Sequence, residues 1–319
     1  MPPKTPNFWQ EDTLISKFLT PFSKLYDIGQ KMDAVITLPY KSSIPVFCIG
    51  GIVAGGSGKT PTLHAFLKLI REHSLFQNPV IITRGYGGKI THSTRVDPSV
   101  HTYQDVGDEA LLHARHAPTI VGRNRMASAK LAETMGADLI LMDDGLQNKK
   151  LEKTGSILVI DGLQGLGNGK LLPAGPLRET LADGLEKVFA VIEIGQSDLF
   201  IPQKPFLKAR LQITSHHDST APYVAFAGLG YPHKFRQTLI ANNFNVQDFV
   251  AFADHHPYTE NDIQKIRDQA NGAKLITTAK DYIRIPVSCR EGIEVLDVAV
   301  VLDTPDLAKS LIRDNLSAP

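Results

Sequence analysis

Gly50-Gly51-Ile52-Val53-Ala54-Gly55-Gly56-Ser57-Gly58-Lys59-Thr60 is the stretch on which the fold turns. The apolar run Val46-Phe47-Cys48-Ile49 leads into it, and a helix-compatible run from Thr60 to about Glu72 leads out. Strand, glycine loop and helix in that order make a phosphate cradle. The glycines let backbone N–H groups turn inward, and the helix N-terminus adds partial positive charge. Gly55, Gly56, Ser57, Gly58, Lys59 and Thr60 are therefore the expected nucleotide contacts. Lys59 would reach the β/γ oxygens and the Thr60 hydroxyl would hold Mg²⁺. Val53 stands where G-x-x-x-x-G-K-[ST] has its first glycine, so the loop is a variant one.

Outward from this loop, apolar runs alternate with helical stretches. Strands are expected at 79–83, 119–121, 138–143, 156–161 and 188–194, with helices at 108–116, 124–135 and 177–187. Near-continuous apolar strands of this kind mark a parallel sheet covered on both faces. Prolines and mixed polar residues at 196–221 mark a junction. Beyond it the alternation resumes, with strands at 223–228, 249–252, 274–278 and 293–302 and helices at 232–241, 259–270 and from about 304. The expected fold is α/β: a P-loop NTPase-like parallel sheet covered by helices over 36–205, and a second, smaller α/β domain over 206–319. An N-terminal amphipathic helix segment, 1–35, precedes both.

In that segment Leu14, Ile15, Phe18, Leu19, Phe22, Leu25 and Tyr26 share one helical face, with Lys17, Lys24 and Lys31 opposite. Such a face suits a membrane surface, and it equally suits packing on the first domain. Pro21 would kink or split the helix. No stretch of about 18 apolar residues exists, so a spanning helix is not expected. A formal charge of +1 over 319 residues gives no general attraction to nucleic acid. Cys48 and Cys289 have no metal spacing, so reduced thiols in a reducing compartment are expected. No cleavable signal pattern opens the chain, which reads as cytoplasmic.

Asp143-Asp144 closes the apolar strand Leu139–Met142 in the manner of a Walker B element, where a carboxylate reaches Mg²⁺. Asp108-Glu109 opens a predicted helix. A capping role explains an Asp there, while a kinase needs a carboxylate near the γ-phosphate to orient or deprotonate the attacking hydroxyl. Asp254-His255-His256 follows a strand of the second domain, where α/β proteins place sites. Arg84, Arg123, Arg125 and Arg178 lie on loops or helix starts, and Arg forks suit a phosphate-bearing substrate.

These pieces in this order resemble the tetraacyldisaccharide 4′-kinase (LpxK) family of lipid A biosynthesis. The motifs are Gly55-Gly56-Ser57-Gly58-Lys59-Thr60-Pro61, Arg84-Gly85-Tyr86-Gly87, Val106-Gly107-Asp108-Glu109, Val121-Gly122-Arg123-Asn124-Arg125, Asp143-Asp144-Gly145-Leu146-Gln147, Leu172–Glu179, Phe252–His256 and Thr277–Asp281. The resemblance implies transfer of the ATP γ-phosphate to the 4′-hydroxyl of an acylated glucosamine disaccharide 1-phosphate, giving lipid IVA. It implies Mg²⁺ and a peripheral position on the cytoplasmic face of the Gram-negative inner membrane, reached through the N-terminal helix. Neither nucleic acid nor an obligate protein partner is expected.

Carried over residue by residue, the resemblance makes Asp108 the base, oriented by His255 or His256, with Asp144 as a possible base partner. Thr60, Asp143 and Glu109 become the metal candidates. Arg84, Tyr86, Arg123, Arg125, Gln147 and Arg178 become the substrate candidates. Two departures from the family pattern stand out: Gly51 and Val53 replace polar residues, and Ala279 replaces a Glu. The alternative is a MinD/metallochaperone-like P-loop NTPase switch with a protein partner. Those loops carry a lysine where this chain has Ala54. Lys280-Asp281 lacks the spacing that guanine recognition requires.

Overall fold

The computed structural model describes residues 6–197, 199 and 201–316; residues 1–5 of the expected 1–35 segment, and 317–319, lie outside them. After a short 3-10 turn comes α1 (Leu14–Ile36). Thr13 caps it: Thr13 Oγ1 accepts from Ser16 N at 3.3 Å, and Ser16 Oγ accepts from Thr13 N at 3.0 Å. This reciprocal pair satisfies two of the N–H groups that a helix start leaves open. The kink or split predicted at Pro21 does not divide α1, which runs through it as one element. The proline removes one N–H, and the adjacent Thr20 hydroxyl adds a bond to Ser16 O at 2.9 Å.

The chain continues as β1 (Val46–Gly50), α2 (Lys59–Glu72), β2 (Pro79–Thr83), β3 (Thr94–Arg95), α3 (Tyr103–Val106), α4 (Asp108–Ala114) and β4 (Thr119–Val121). Then follow α5 (Arg125–Thr134), β5 (Leu139–Asp143), β6 (Gly155–Asp161), α6 (Leu181–Glu186), β7 (Ala190–Ile194) and β8 (Phe206–Ile213). After these come β9 (Pro222–Ala227), α7 (Pro232–Ala241), β10 (Asn245–Ala251), α8 (Glu260–Ala270), β11 (Lys274–Thr278), α9 (Ala279–Arg284) and β12 (Ile293–Leu296). The last elements are β13 (Val298–Leu302) and α10 (Pro305–Leu316).

Two compact units result, one of Asn7–Gln212 with the chain from Ala299 onward, the other of Ile213–Val298. The larger is built on a nine-stranded sheet in the order β13-β8-β7-β6-β1-β5-β2-β4-β3. Pairings from β8 across to β4 are parallel, and the short edge strand β3 runs antiparallel to β4. Alternate residues of each strand feed opposite faces. Phe47, Ile49, Leu141 and Val159 pack on Leu63, Phe66 and Ile70 of α2. Val46, Cys48, Ile82 and Met142 pack on Ala129 and Ala132 of α5. Leu158, Ile160 and Val191 meet Ile52, Val53 and Leu177. Helices and loops thus cover both faces, as continuous apolar strands require. No helix among the described residues is long and apolar enough to cross a membrane.

The smaller unit holds a four-stranded parallel sheet, β10-β9-β11-β12. Sequence reading predicts a single strand at 293–302 and assigns everything after 206 to this unit. The structure breaks that strand at Asp297, whose carbonyl accepts from Thr214 N and whose N–H donates to Ser215 Oγ at 3.0 Å. β12 joins the small sheet, while β13 joins β8 of the large one. Ala308, Ile312 and Leu316, at i, i+4 and i+8 of α10, then bury in the core beneath α2. β3, α3 and α9 have no counterpart in the sequence reading, being two to six residues long.

Candidate active site

The phosphate loop lies between β1 and α2. Gly58 caps α2 with φ +78°, a left-handed conformation that favours glycine. Lys59 is nearly buried, donating to Gly55 O at 3.3 Å and Ser57 Oγ at 3.1 Å. Thr60 sits half-buried in the first turn of α2, and Gly55 and Gly56 are exposed at the loop crest. Val53 forms a bridge with Leu177 and is buried in the apolar cluster around it. Ala54 N donates to Pro176 O and Arg178 N to Ile52 O, at 2.8 and 2.7 Å. The valine thus packs the loop onto the 176–178 segment, a task glycine could not perform. Gly51 carries no polar side chain, but its carbonyl accepts from Gln147 Nε2 at 3.0 Å.

β5 lies beside β1 with Asp143 in register with Ile49, which delivers the paired carboxylates to the root of the loop. Asp143 is 2% exposed. Its Oδ2 meets His113 Nε2 at 3.0 Å, and its Oδ1 is buried without a hydrogen-bond partner among the described residues. Burial pushes the Asp143 carboxyl up, but His113, Lys59 and Arg125 outweigh it and hold it below its ordinary range. Asp144 turns the chain with φ +46°, an uncommon conformation for a residue with a side chain. Arg178 Nη1 holds both its carboxylate oxygens, at 3.0 and 2.9 Å, and Lys59 Nζ stands 3.7 Å away. Gln147 also donates to Glu179 Oε1 at 2.8 Å and accepts from Arg178 at 3.4 Å.

Asp108 is buried at the first position of α4, where its Oδ1 accepts from Glu109 N at 2.8 Å. Gly107 before it has φ +86°, and a Cβ there would meet Tyr86 O at 2.5 Å. The two glycine motifs therefore interlock backbone on backbone, joining the Arg84–Gly88 loop to the helix start that carries Asp108. Arg84, Tyr86 and Arg123 are exposed. Arg125 is not. Its buried guanidinium donates to Gly122 O and Asp143 O, both at 3.3 Å, and bonds the strand end that carries the carboxylates.

In the smaller unit, Asp254-His255-His256 follows β10. His256 Nε2 lies 3.1 Å from Asp262 Oδ2, and its ring rests on Phe252 with centroids 4.6 Å apart. His255 has φ +54°, and its Nε2 lies 3.4 Å from Lys280 Nζ and 3.9 Å from Asp254 Oδ1. Asp281 is fully buried, accepting from Gly228 N at 2.7 Å, Tyr258 Oη at 2.8 Å, Arg284 Nη2 at 2.7 Å and Thr278 Oγ1 at 2.6 Å. The Thr-Ala-Lys-Asp motif is thus a helix cap and a buried ion pair in one. Ala279 stands at the first position of α9.

A family model described as LpxK, tetraacyldisaccharide-1-P 4′-kinase, matches residues 15–316. The chain belongs to the LpxK family. It is 39% identical to a tetraacyldisaccharide 4′-kinase of Rhodospirillum rubrum over 97% of both chains. It is 41% identical to one of Bradyrhizobium sp. over 98% of this chain and 94% of that one. Among solved structures it resembles LpxK from Aquifex aeolicus, crystallised in complex with ATP. The TM-score is 0.77 at 25% identity, covering 95% of this chain and 100% of that one. Membership of the LpxK family sets aside the MinD-like switch.

Sequence reading of this LpxK chain passes over three histidines. His113 Nδ1 lies 2.9 Å from His64 Nε2, and the His64 ring lies against His116 with centroids 4.0 Å apart. They lead from buried Asp143 to exposed His116, in the turn just past α4. Burial, with His113 and His116 nearby, pushes the His64 ring down to about 2. His64 lies on α2, His113 on α4 and His116 in the turn just after it, so only the packing of α2 against α4 reveals the chain.

Proposed function

We propose that this chain transfers the γ-phosphate of ATP to the 4′-hydroxyl of a tetraacyldisaccharide 1-phosphate, giving lipid IVA. The observation that carries the reading is the junction of β1 and β5, where Lys59 of the phosphate loop stands 3.7 Å from Asp144, next to Asp143. Family membership over nearly the whole chain supplies the substrate class.

Gly55, Gly56, Ser57 and Gly58 would wrap the triphosphate with backbone N–H groups, and Lys59 would leave its loop partners for the β/γ oxygens. The residues fit a divalent cation: Asp143 Oδ1 is a buried carboxylate oxygen without a hydrogen-bond partner among the described residues, the hard donor that Mg²⁺ prefers. Thr60, Asp143 and Glu109 would hold it. When bound, Mg²⁺ supplies charge neutralisation across the β- and γ-phosphates. Asp108, kept in place by the interlocked glycine loops, would accept the proton of the sugar hydroxyl. Asp144, clamped by Arg178, would hold Lys59 in line. His256 meets Asp262 and Phe252, and His255 lies near Lys280 and Asp254, so both remain candidates for the orienting histidine. Arg84, Tyr86, Arg123, Gln147 and Arg178 remain the candidates for gripping the lipid, whereas Arg125 acts through the backbone of Asp143.

Residues of α1 support a peripheral site on a membrane, at the cytoplasmic face of the Gram-negative inner membrane. Ser16 and Ser23 are its buried side, with Ser23 Oγ donating to Leu171 O at 2.7 Å. Leu14 and Phe18, with Leu25 and Met32, point outward, at 85%, 75%, 67% and 66% exposure. Leu19 and Tyr26 of the same face are half-buried, and the exposed remainder supplies the apolar surface that an interfacial helix needs.

The test is turnover by the purified full-length chain with ATP, Mg²⁺ and tetraacyldisaccharide 1-phosphate. ADP formation that depends on the lipid, with a 4′-phosphorylated product, is expected. ADP release indifferent to the lipid would overturn the reading.

A further inference from the structure

We propose that His113, held in place by His64, is a positioning residue that fixes the Asp143 carboxylate with Oδ1 turned to the metal of the nucleotide complex. The inference rests on the reading that Asp143 is a metal ligand, and adds to it residues that no motif of the phosphate-binding site contains.

The hydrogen-bond inventory gives the direction of the contact to Asp143. An ionised carboxylate only accepts, so the proton between Asp143 Oδ2 and His113 Nε2, 3.0 Å apart, sits on the ring nitrogen. The other ring nitrogen, Nδ1, lies 2.9 Å from His64 Nε2, and a hydrogen bond joins the two rings whichever of them carries the shared proton. Either arrangement leaves the Nε2–H of His113 on Asp143 Oδ2. The His113 ring is fully buried, so it cannot exchange these partners for water. A carboxylate at a strand end can otherwise rotate about its last torsion, which is broad. Tying Oδ2 to a ring fixed at both nitrogens removes that freedom.

The second observation is on the other oxygen. Asp143 Oδ1 is buried and lacks a partner among the described residues. Leaving a charged oxygen so is costly unless a ligand completes it. Among the described residues, the only side chain at hydrogen-bond distance from this carboxylate is His113, on the far oxygen. Outer contacts of this kind orient metal ligands and tune affinity.

Mn²⁺ and ADP serve as probes on the full chain, with Mn²⁺ affinity of the ADP complex read by electron paramagnetic resonance and metal-free ADP affinity by calorimetry. His113→Leu is expected to weaken Mn²⁺ binding by about 10–100-fold while metal-free ADP affinity holds. His113→Gln, which restores an N–H at similar reach, should recover most of the loss. His64→Leu should lose affinity in the same direction by less, and it decides the matter if His113→Leu does not fold. Unchanged Mn²⁺ affinity in the folded variant, or a Gln variant as weak as the Leu one, overturns the positioning role. Asp143→Asn separates the premise. If it binds Mn²⁺ as the wild type does, the metal-ligand reading falls. If it loses affinity and His113→Leu does not, only the positioning role falls.

Discussion

Arg178 aims Nη1 at both carboxylate oxygens of Asp144, at 3.0 and 2.9 Å, while Lys59 stands 3.7 Å from the same group. The pair joins the Pro-Leu-Arg-Glu segment to the strand end beside the phosphate loop, and it holds a residue in the left-handed region. Removing the guanidinium frees a carboxylate to compete with phosphate for Lys59. Arg178→Ala should therefore lower kcat/KM by about 10²-fold, the order seen when a positioned group is lost. Arg178→Lys should recover little, because an ammonium is a point charge without the guanidinium's planar set of donors. Steady-state kinetics decides, and a Lys variant at wild-type rate removes the clamp from the mechanism.

Asp108 is the proposed base, so Asp108→Ala should lower kcat by about 10²–10⁴ with ATP affinity nearly unchanged. In the same assay the Ala variant of the orienting histidine, His255 or His256, should slow turnover far more than that of the other. Wild-type rates in both variants would remove the two histidines from the role.

Asp281 and Arg284 are an ion pair at 2.7 Å, with both side chains at most 1% exposed. Asp281→Ala would remove the carboxylate from a buried guanidinium that also donates to Gly228 O and His256 O, a change that costs about 3–5 kcal/mol. Urea unfolding followed by a probe in the smaller unit should register this loss. A loss below about 1 kcal/mol would mean that backbone carbonyls suffice for Arg284.

Phe18, Phe22 and Leu25 lie on the outward face of α1. Replacing all three by Ser should abolish co-sedimentation with anionic phospholipid vesicles. Each exposed substitution should change folding stability by only about 0.5 kcal/mol. Sedimentation equal to wild type would send the membrane reading back to other surfaces.

Acid should weaken the fold earlier than its carboxylates require. The His64 ring is driven down to about 2 from an ordinary value of 6.5, by burial first and then by His113 and His116. Its folded pKa lies below its unfolded one, so below the unfolded value the unfolded chain binds a proton that the folded chain refuses. That contribution is absent above about pH 6.5 and destabilises as pH falls, by about 1.4 kcal/mol per pH unit. Asp143, depressed despite its burial, stabilises above its unfolded value and adds to the loss only below about pH 4. Urea melts between about pH 7 and pH 5 should therefore show a shallower slope in His64→Leu than in wild type. Equal slopes would mean that the folded protein accommodates the charged ring.

Periodicity and local motif chemistry were enough to read the larger sheet. β2, β4, β5, β6 and β7 lie within a residue or two of the apolar runs that predict them. Such runs announce themselves because a strand buried on both faces needs no polar alternation. The same legibility fails at Asp297. Residues 293–302 read as one apolar strand, yet hydrogen bonds from Thr214 and to Ser215, remote in sequence, divide it between two sheets.

What the sequence by itself determined was the set of short-range pieces. The loop Gly55–Thr60, the paired Asp143-Asp144 and the turn before Asp108 each carry their chemistry within a few residues, where spacing is visible. What only the tertiary structure decided was which side chains those pieces meet. Arg125 turned inward to the Asp143 carbonyl, Val53 became a strand contact with Leu177, and α1 put serines inward and its phenylalanines out. The chain from Asp143 through His113 to His64 spans three elements distant in sequence. Its contacts depend on how α2 and α4 pack over the sheet, and packing is a property of the whole fold.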